Sequence, residues 1–503
     1  MTVGFFSRRS ARRAVLCLVL ASSSLAAFAS PAATPFPNLQ ALEARGVAVT
    51  AMAVDLNSGR SFWELDSERR LSPASLSKLY TAAAALEHWG PEHSFETRLL
   101  ADGHRDGAVL RGDLVLLGGG DPALTTENLW TLAGALRSAG VEQVQGRLVI
   151  NESRFGALPC STKDRCDAQR YSRNAYDAPL SAAGVNYGAW CVEALPAGRA
   201  GQPAIVRLCP VHVPEVEIRG KVETVAAGKG SRLWAERRTE RGRDVILVSG
   251  QMALGAEPKR VYRAASDAAM QTGLLLRRVL ELVGVDVEGP VVVDDAPLKP
   301  GLRTLAKVDG LRMTGLISRM LTFSNNYMAD VLALDLLAED PTLARPLSLE
   351  HAGRRVLHWR QPPAGALEVV HTAGLAPPVL LNGSGLNTGS AVSAQDLVAL
   401  LSDVYRRSEL FPQFVGALSV PQFSPLGSLR GDSPGWRSRV AVKSGSLTEP
   451  VTVYGVAGYF RTRTDGWGAF VVLVNGAGEL SKIPYSTVHA TVRRDVELML
   501  QNF

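Results

Sequence analysis

Apolar and polar residues alternate near the N-terminus in a pattern that predicts a β-hairpin followed by a helix. Residues 47–56 predict one strand, Asn57-Ser58-Gly59 supplies a turn, and residues 60–65 predict the returning strand. The alanine-rich run from Ser75 to Glu87 contains no proline or glycine, so it predicts a helix shortly after the hairpin.

The C-terminal end carries a pattern of three strands and a helix. Residues 439–443, 453–461 and 468–474 predict strands, and a turn containing Asp465-Gly466 joins the last two. Residues 486–502 space their apolar side chains as a helix does, at Val488, Val492, Val496, Met499 and Leu500. We therefore expect both ends of the chain to pack into one α/β layer.

Two similar helix–strand units lie in the middle of the chain. Residues 129–150 and 272–293 each predict a helix, then Gly-Val, then a glycine-containing strand. Two βαβ-like halves of one domain would explain the similarity, and chance resemblance is the alternative. A chain of this length should hold two or three domains.

The first 29 residues predict an export signal that is cleaved near Ala29. Four arginines form a basic segment, residues 14–29 are largely apolar, and Ala27-Phe28-Ala29 offers a small-residue cleavage site. Arg8-Arg9 also admits a twin-arginine signal, but a second arginine pair follows, which favours the general export route. Removing the segment lowers the formal net charge from +6 to about +2, which argues against a nucleic-acid partner. No later stretch has the apolar length of a membrane span.

Four cysteines remain once Cys17 leaves with the signal, and all lie in one short stretch of the chain. In an exported protein an even, clustered set predicts disulfides, and four cysteines allow three pairings that stay open here. A zinc site is the rival interpretation, but the sequence has no Cys-x-x-Cys pair and no close histidine pair to support it. The four are Cys160, Cys166, Cys191 and Cys209.

Ser75 and Lys78 are the first candidates for chemistry. Three residues apart, they share one helical face and suit a nucleophile and its base. The base must be neutral, and apolar neighbours such as Leu79 and Ala82 would lower the pKa of the lysine. A serine at a helix start also lies near the positive end of the helix dipole. A serine N-cap followed by a solvated lysine would give the same pattern.

Two further elements follow in order along the chain. Ser324-Asn325-Asn326 separates two predicted helices, where it forms either a simple N-cap or a turn with Ser324 as proton relay and Asn326 as holder of a substrate amide. Lys443-Ser444-Gly445-Ser446 ends the predicted strand 439–443. Its charge and hydroxyls suit a substrate carboxylate, and Gly445 admits a ligand close to the strand. A solvated lysine at a strand edge is the alternative.

Together these elements resemble the signature of the penicillin-recognising serine acyltransferases: Ser-x-x-Lys, Ser-Asp-Asn and Lys-Thr-Gly, in that order. The 249 residues from Ser75 to Ser324 far exceed the spacing of compact β-lactamases, whereas the 119 from Ser324 to Lys443 are ordinary for the fold. This spacing is similar to that of the class C low-molecular-mass penicillin-binding proteins, the D-Ala-D-Ala carboxypeptidase/endopeptidase family. Residues 112–122, 178–183 and 383–386 also look similar to that family.

Three positions depart from the family pattern. Asn325 replaces the usual aspartate of Ser-Asp-Asn, and Ser444 replaces the threonine of Lys-Thr-Gly but keeps its hydroxyl. Asn382 stands where an aspartate usually precedes Gly-Ser-Gly-Leu. None removes a residue assigned to chemistry, and the effect of Asn325 and Asn382 stays open.

The resemblance implies an α/β fold with a penicillin-binding/β-lactamase-like transpeptidase domain. That domain has an antiparallel sheet flanked by helices and a helical subdomain, and large inserted domains interrupt it. We expect a signal peptide, a split catalytic domain, an inserted α/β domain with the internal repeat, and a further mainly-β insertion with the four cysteines. The signal peptide occupies residues 1–29, and the split catalytic domain occupies residues 30–97 and 297–503. The inserted α/β domain occupies residues 98–154 and 261–296, and the mainly-β insertion occupies residues 155–260.

The resemblance also implies the chemistry of an acyl-enzyme. Ser75 would attack the carbonyl of the penultimate D-alanine, neutral Lys78 would take its proton, and Ser324 would pass a proton to the leaving amine with Lys443 nearby. The backbone N–H groups of Ser75 and Ser446 would hold the oxyanion. Water would then release the acyl group. A penicillin adduct would persist, because nothing here resembles the deacylating glutamate of class A β-lactamases.

The expected site and partners follow from this mechanism. The catalytic residues are Ser75, Lys78, Ser324, Asn326 and Lys443, and the substrate-binding residues are Ser444, Gly445 and Ser446. We expect peptidoglycan stem peptides as substrates, β-lactams as covalent inhibitors, no nucleic acid and a periplasmic location. We expect no metal or cofactor, since the histidines are scattered and residues 118–123 depart from a dinucleotide loop.

Two other functions compete with this interpretation. A serine β-lactamase is disfavoured by the long insertion, the missing glutamate motif and a serine at position 324 where class C β-lactamases carry a tyrosine. A catalytically silent cell-wall binding protein would have no need of a nucleophile and base. The balance between carboxypeptidase and endopeptidase activity stays open, as does the oligomeric state.

Overall fold

The computed structural model describes residues 34–359, 377–431 and 433–503, so the predicted signal segment lies outside the described residues. The helices are α1 (Pro37–Glu43), α2 (Ser77–Trp89), α3 (Thr126–Ser138), α4 (Lys163–Ala168), α5 (Ala268–Leu282), α6 (Met313–Thr322), α7 (Asn326–Ala338), α8 (Leu349–Trp359), α9 (Ala394–Arg406), α10 (Phe411–Gly416), α11 (Pro434–Ser438) and α12 (Tyr485–Asn502).

The strands of these described residues form four sheets. They are β1 (Ala48–Asp55), β2 (Ser61–Leu65), β3 (Ser94–Asp106), β4 (Val109–Leu117), β5 (Gln143–Val144), β6 (Leu148–Asn151), β7 (Tyr171–Ser172), β8 (Ala189–Leu195), β9 (Ile205–Cys209), β10 (Glu217–Val225), β11 (Arg232–Glu240), β12 (Arg243–Ala253), β13 (Lys259–Ala264), β14 (Asp286–Val287), β15 (Val291–Asp294), β16 (Arg303–Arg312), β17 (Val440–Leu447), β18 (Val453–Arg461) and β19 (Trp467–Asn475).

A five-stranded antiparallel sheet in the order β17-β18-β19-β1-β2 joins the two ends of the chain. The predicted hairpin and the three C-terminal strands are therefore confirmed as parts of one layer. The first of those three strands is longer than predicted, because β17 pairs with β18 as far as Leu447 opposite Val453. Lys443 thus lies inside a strand, and the prediction that it ends one was wrong.

Both faces of this sheet are apolar because helices cover both of them. On β19, Ala469, Val471 and Leu473 face a helical layer that contains α2, α6, α7 and α9. The alternate residues Phe470, Val472 and Val474 pack instead with α1 and α12, as the two-residue period of a strand requires. The predicted apolar stripe of α12 is confirmed in this second cluster.

The helical layer brings two distant motifs together. α7 is apolar around most of its surface and is buried on all sides, which is the expected location for such a helix. α2 packs against α6, α7 and α8, and its run of alanines permits close approach. As a result the first residue of α7, Asn326, lies beside the first turn of α2.

The middle of the chain forms a seven-stranded sheet, in which β3, β4 and β16 are antiparallel neighbours. The two helix–strand units found in the sequence lie side by side, since β5 pairs in parallel with β14 and β6 with β15. Their helices, α3 and α5, also pack against each other. The domain boundaries stay predictions.

The cysteine-containing segment holds a four-stranded sheet (β10-β12-β11-β7) and a three-stranded sheet (β13-β8-β9). Two disulfides are present, Cys160–Cys166 and Cys191–Cys209. The second joins directly opposed residues of β8 and β9. The structure therefore confirms disulfides and selects one of the three possible pairings. Within the described ranges, no helix is long and apolar enough to cross a membrane.

Candidate active site

Ser75 lies on a short 3-10 turn, Ala74–Leu76, and α2 begins only at Ser77. The α-helix starts two residues later than predicted, because the Leu76 N–H bonds to the Pro73 carbonyl in a 3-10 pattern. Ala74 has a φ of 44°. This left-handed conformation costs a residue with a side chain about 1–3 kcal/mol, a strain typical of functional sites.

Two glycines allow the backbone to close around this turn. A Cβ on Gly445 of β17 would lie 2.8 Å from the Ser75 nitrogen, and one on Gly385 would lie 1.8 Å from the Ala74 oxygen. Any larger residue at either position would force the strand or the loop away from Ser75. The predicted close approach at Gly445 is therefore made by the Ser75 turn itself.

Lys78 is fully buried and touches three oxygens. Its Nζ lies 2.9 Å from Ser75 Oγ, 2.7 Å from Asn326 Oδ1 and 2.7 Å from the Ser384 carbonyl oxygen. Asn326 Oδ1 and the carbonyl can only accept, so they take the two N–H bonds of a neutral amine. The lone pair of that amine then faces the Ser75 hydroxyl, which is the arrangement a general base needs.

The pKa of Lys78 lies well below the ordinary lysine value. Burial is the main cause, and the nearby positive charge of Lys443 lowers the pKa further. Asp330 opposes the shift and Arg165 supports it. The site therefore favours the neutral lysine that the serine requires.

The loop at Gly383 to Gly385 holds the third oxygen against Lys78. The Thr81 hydroxyl donates to the Gly383 carbonyl at 2.9 Å. Asn382 uses both ends of its amide, since Oδ1 accepts from the Gly385 N–H at 3.0 Å and Nδ2 donates to the Ser384 hydroxyl at 3.1 Å. An aspartate at 382 could accept both bonds, so the asparagine preserves the shape of the loop.

The turn that contains Ser324 joins α6 to α7. Ser324 has a φ of 54°, a second left-handed residue with a side chain in this site. Asn325 is the N-cap of α7, and its side chain accepts from the Met328 N–H at 3.0 Å. The departure from Ser-Asp-Asn therefore falls on a helix cap, where asparagine and aspartate are equivalent.

This assignment predicts the effect of changing Asn325 on stability. Asn325→Asp should leave the free energy of unfolding within about 0.5 kcal/mol of the wild type, whereas Asn325→Ala should lower it by about 1 kcal/mol through loss of the cap. Urea unfolding measures both. Asn502→Ala, at the exposed end of α12, is the control. Equal losses in the aspartate and alanine variants would contradict the capping role.

Lys443 is buried and reaches the same turn from the sheet. Its Nζ donates to Ser324 Oγ at 2.8 Å, and burial lowers the pKa of Lys443 to about 7. Ser444 is buried, whereas Ser446 is exposed. The Ser446 side chain interacts with that of Tyr485, the first residue of α12. The outer side of the edge strand β17 pairs with Ser419 at Val442, so its continuation from Ser444 to Ser446 can pair with an extended substrate.

The structure brings all five predicted catalytic side chains into one cluster. One half is Ser75, Lys78 and Asn326, and the other is Ser324 and Lys443. The turn that carries both Ser324 and Asn326 joins the halves. Beside it opens a cleft of about 1160 Å³, whose other wall includes Tyr187, Arg319 and the Cys191–Cys209 disulfide.

Four contributors to the site were not predicted from the sequence. The Ser384 carbonyl lies in a stretch that resembles the family, so a signal for it existed. Asp330, Arg165 and Tyr485 had none, because each acts through a contact with a residue far away in the chain. In the described part of the chain, no three histidine, cysteine, aspartate or glutamate side chains group as a metal site would.

The sheet, its helical layer and a serine held against a buried lysine define the class of penicillin-recognising serine enzymes. The chain belongs to the D-Ala-D-Ala carboxypeptidase 3 (S13) family, which it matches over residues 38–492. This membership confirms the predicted family, the predicted fold class and the assignment to serine-type carboxypeptidases. The roles of the individual residues stay predictions.

Relatives and solved structures are similar over most of the chain. The D-alanyl-D-alanine carboxypeptidase of an Actinomadura species is 31% identical over 71% of this chain, which spans 64% of that protein. The D-alanyl-D-alanine carboxypeptidase DacB of Haemophilus influenzae is 22% identical over 86% of each chain. The crystal structure of penicillin-binding protein 4 (dacB) from Haemophilus influenzae superposes with a TM-score of 0.69 at 22% identity, covering 90% of this chain and 97% of that one.

Proposed function

We propose that this protein is a serine D-Ala-D-Ala carboxypeptidase/endopeptidase that cleaves peptidoglycan stem peptides through an acyl-enzyme on Ser75. The observation that carries the proposal is the 2.9 Å contact between Ser75 Oγ and the fully buried Nζ of Lys78. A buried lysine with a lowered pKa is the base that a serine needs when no histidine is present.

Acylation begins when Ser75 Oγ attacks the carbonyl carbon of the penultimate D-alanine and its proton passes to Lys78 Nζ. The negative charge on the carbonyl oxygen is held by the backbone N–H groups of Ser75 and Ser446. The C–N bond then breaks, and the leaving amine receives a proton through Ser324, which Lys443 contacts at 2.8 Å. Attack by water on the ester restores Ser75 and completes a net hydrolysis.

Substrate binding uses the edge of the sheet. The Ser444 and Ser446 hydroxyls and the positive charge of Lys443 suit the terminal carboxylate, and the Asn326 amide suits the peptide bond before the scissile one. Asn326 also touches Lys78, so it links substrate binding to the base. Gly445 lets the Ser75 turn approach the strand beside which the substrate binds.

The same site suits a β-lactam, which combines a strained amide with a carboxylate. The penicillin-binding protein 4 of Haemophilus influenzae has been solved in complex with a β-lactam, and this chain shares its fold with a TM-score of 0.66. The basic and apolar N-terminal segment and the two disulfides support export to the periplasm.

Intact-mass measurement after incubation with benzylpenicillin tests the proposal together with D-alanine release from a pentapeptide ending in D-Ala-D-Ala. We expect one persistent adduct of the whole antibiotic per chain, and inhibition of D-alanine release in proportion to the adduct. Continuous nitrocefin turnover would favour a β-lactamase. The absence of both the adduct and D-alanine release would favour a catalytically silent binding protein. Digestion of cross-linked muropeptides measures the endopeptidase share.

A further inference from the structure

A second charged pair lies behind Lys78 and comes from a distant part of the chain. Arg165 on α4 and Asp330 on α7 form an ion pair with 2.7 Å between Nη2 and Oδ2, and both side chains are buried. The other oxygen of Asp330 accepts from the Ser384 N–H at 2.8 Å. The Ser384 carbonyl in turn lies 2.7 Å from Lys78 Nζ. An unbroken series of contacts therefore runs from the guanidinium group to the proposed base.

The Arg165 guanidinium group is costly to bury. None of its three nitrogens has a hydrogen-bond partner among the described residues, and Asp330 is its only ion-pair partner there, in a contact that lacks hydrogen-bond geometry. Desolvation of a buried ion pair often exceeds the attraction between its charges, and a packed apolar side chain would serve stability as well. The reaction steps above do not use Arg165. Its burial therefore points to a role transmitted through Asp330.

The segment that carries Arg165 is fastened at this point. The Cys160–Cys166 disulfide closes a loop with a sequence separation of 6 that ends at the next residue after Arg165. The Thr162 hydroxyl also accepts from the Arg165 N–H at the start of α4. Asp330 lies on α7, which is buried on all sides. Both partners of the ion pair thus have a fixed backbone.

We propose that Arg165 is a positioning residue whose ion pair with Asp330 keeps the Ser384 carbonyl against Lys78. This inference rests on the proposed function, since it assigns Lys78 as the base. Three charged groups face Lys78: Lys443 from β17, Asp330 from α7 and Arg165 from α4. Burial and Lys443 lower the pKa of Lys78, Asp330 raises it, and Arg165 lowers it, so loss of Arg165 removes one of the two positive charges that oppose Asp330.

The pH profile of benzylpenicillin acylation tests the inference. Arg165→Met should slow acylation at pH 7 and move the acid limb of the profile to higher pH, because loss of this positive charge raises the pKa of Lys78 and lowers its neutral fraction. Arg165→Lys keeps the charge and should show a smaller displacement. Arg165→Met with Asp330→Asn removes both charges and should return the acid limb towards the wild-type position.

Controls separate positioning from simple loss of charge or fold. Arg170→Met removes an exposed arginine from the same segment, one that pairs with Asp167, and should leave the rate and the limb unchanged. Cys160→Ser with Cys166→Ser should slow acylation and move the acid limb to higher pH, as Arg165→Met does. That pair of changes should add nothing in the Arg165→Met background, because both act through one ion pair.

The outcomes distinguish this inference from the proposed function. If the wild-type protein forms no adduct, the proposed function fails. If the wild-type adduct forms and Arg165→Met keeps the wild-type rate and acid limb, the positioning role is overturned. If circular dichroism shows that Arg165→Met does not fold, the test rests on Arg165→Lys and on the double variant Arg165→Met with Asp330→Asn. An unshifted limb in Arg165→Lys, together with a displaced limb in the double variant, would overturn the positioning role.

Discussion

Ser75→Ala is expected to abolish the benzylpenicillin adduct and to lower D-alanine release by at least about 10⁴-fold, the scale on which loss of a serine nucleophile acts. Among the described residues, Ser75 Oγ is the hydroxyl that hydrogen-bonds to Lys78 Nζ, at 2.9 Å, so we expect no other to take over the attack. The measurements are intact mass after incubation with benzylpenicillin and steady-state D-alanine release.

Ser77→Ala is the matched control for this prediction. It removes a hydroxyl two residues away, on the first turn of α2, that is buried and has no hydrogen-bond partner in the described structure. We expect this variant to keep the adduct. An adduct that persists in Ser75→Ala, or one that maps to another serine by peptide mass analysis, would overturn the assignment of the nucleophile.

Lys78→Met should lower the acylation rate by roughly 10³-fold, within the range by which a positioned general base accelerates proton transfer. Methionine keeps the length and apolar stem of the side chain but cannot take the Ser75 proton. Lys78→Arg should be equally slow, because a guanidinium group does not lose its proton. The acylation rates of the wild type and of both variants are measured by following the intact mass over time after addition of benzylpenicillin.

The acylation rate should depend on pH in the direction set by the pKa of Lys78. Burial lowers the pKa of Lys78, so the neutral form becomes dominant above that lowered pKa and acylation should rise with pH through it. In Lys78→Met this acid limb should vanish together with the rate. Lys163→Met, which removes an exposed lysine on α4, is the control and should keep the limb. A wild-type limb in Lys78→Met would show that another group is the base.

The residues that the structure brings together at the candidate site could be predicted because side-chain type and spacing carry that information locally. Ser75 and Lys78 lie three residues apart. The motifs that begin at Ser324 and Lys443 follow them in the order that is typical of the penicillin-recognising serine enzymes. The hairpin, the C-terminal strands and α12 were equally readable, since strand and helix periods depend on neighbouring positions. The end of β17 could not be predicted from the sequence, because the length of this strand depends on its pairing with β18.

The supporting parts of the site could not be predicted for the same reason. Asp330 and Arg165 matter through one ion pair between distant segments, and neither has a local pattern that marks it. Asn325 and Asn382 were visible as departures, but their effect was not. The structure explains both by contacts, a cap on α7 and two hydrogen bonds within the Ser384 loop.

The amino-acid sequence by itself determined the residues to which we assign the chemistry, their order along the chain and the family to which the chain belongs. Those properties depend on residue identity and spacing, which folding does not alter. The tertiary structure decided that Lys78 is buried between Ser75, Asn326 and Ser384, that the cysteines pair as they do, and that Ser75 stands on a strained turn. These depend on contacts between residues far apart in sequence, and the lowered pKa of the base arises only when those contacts exclude water.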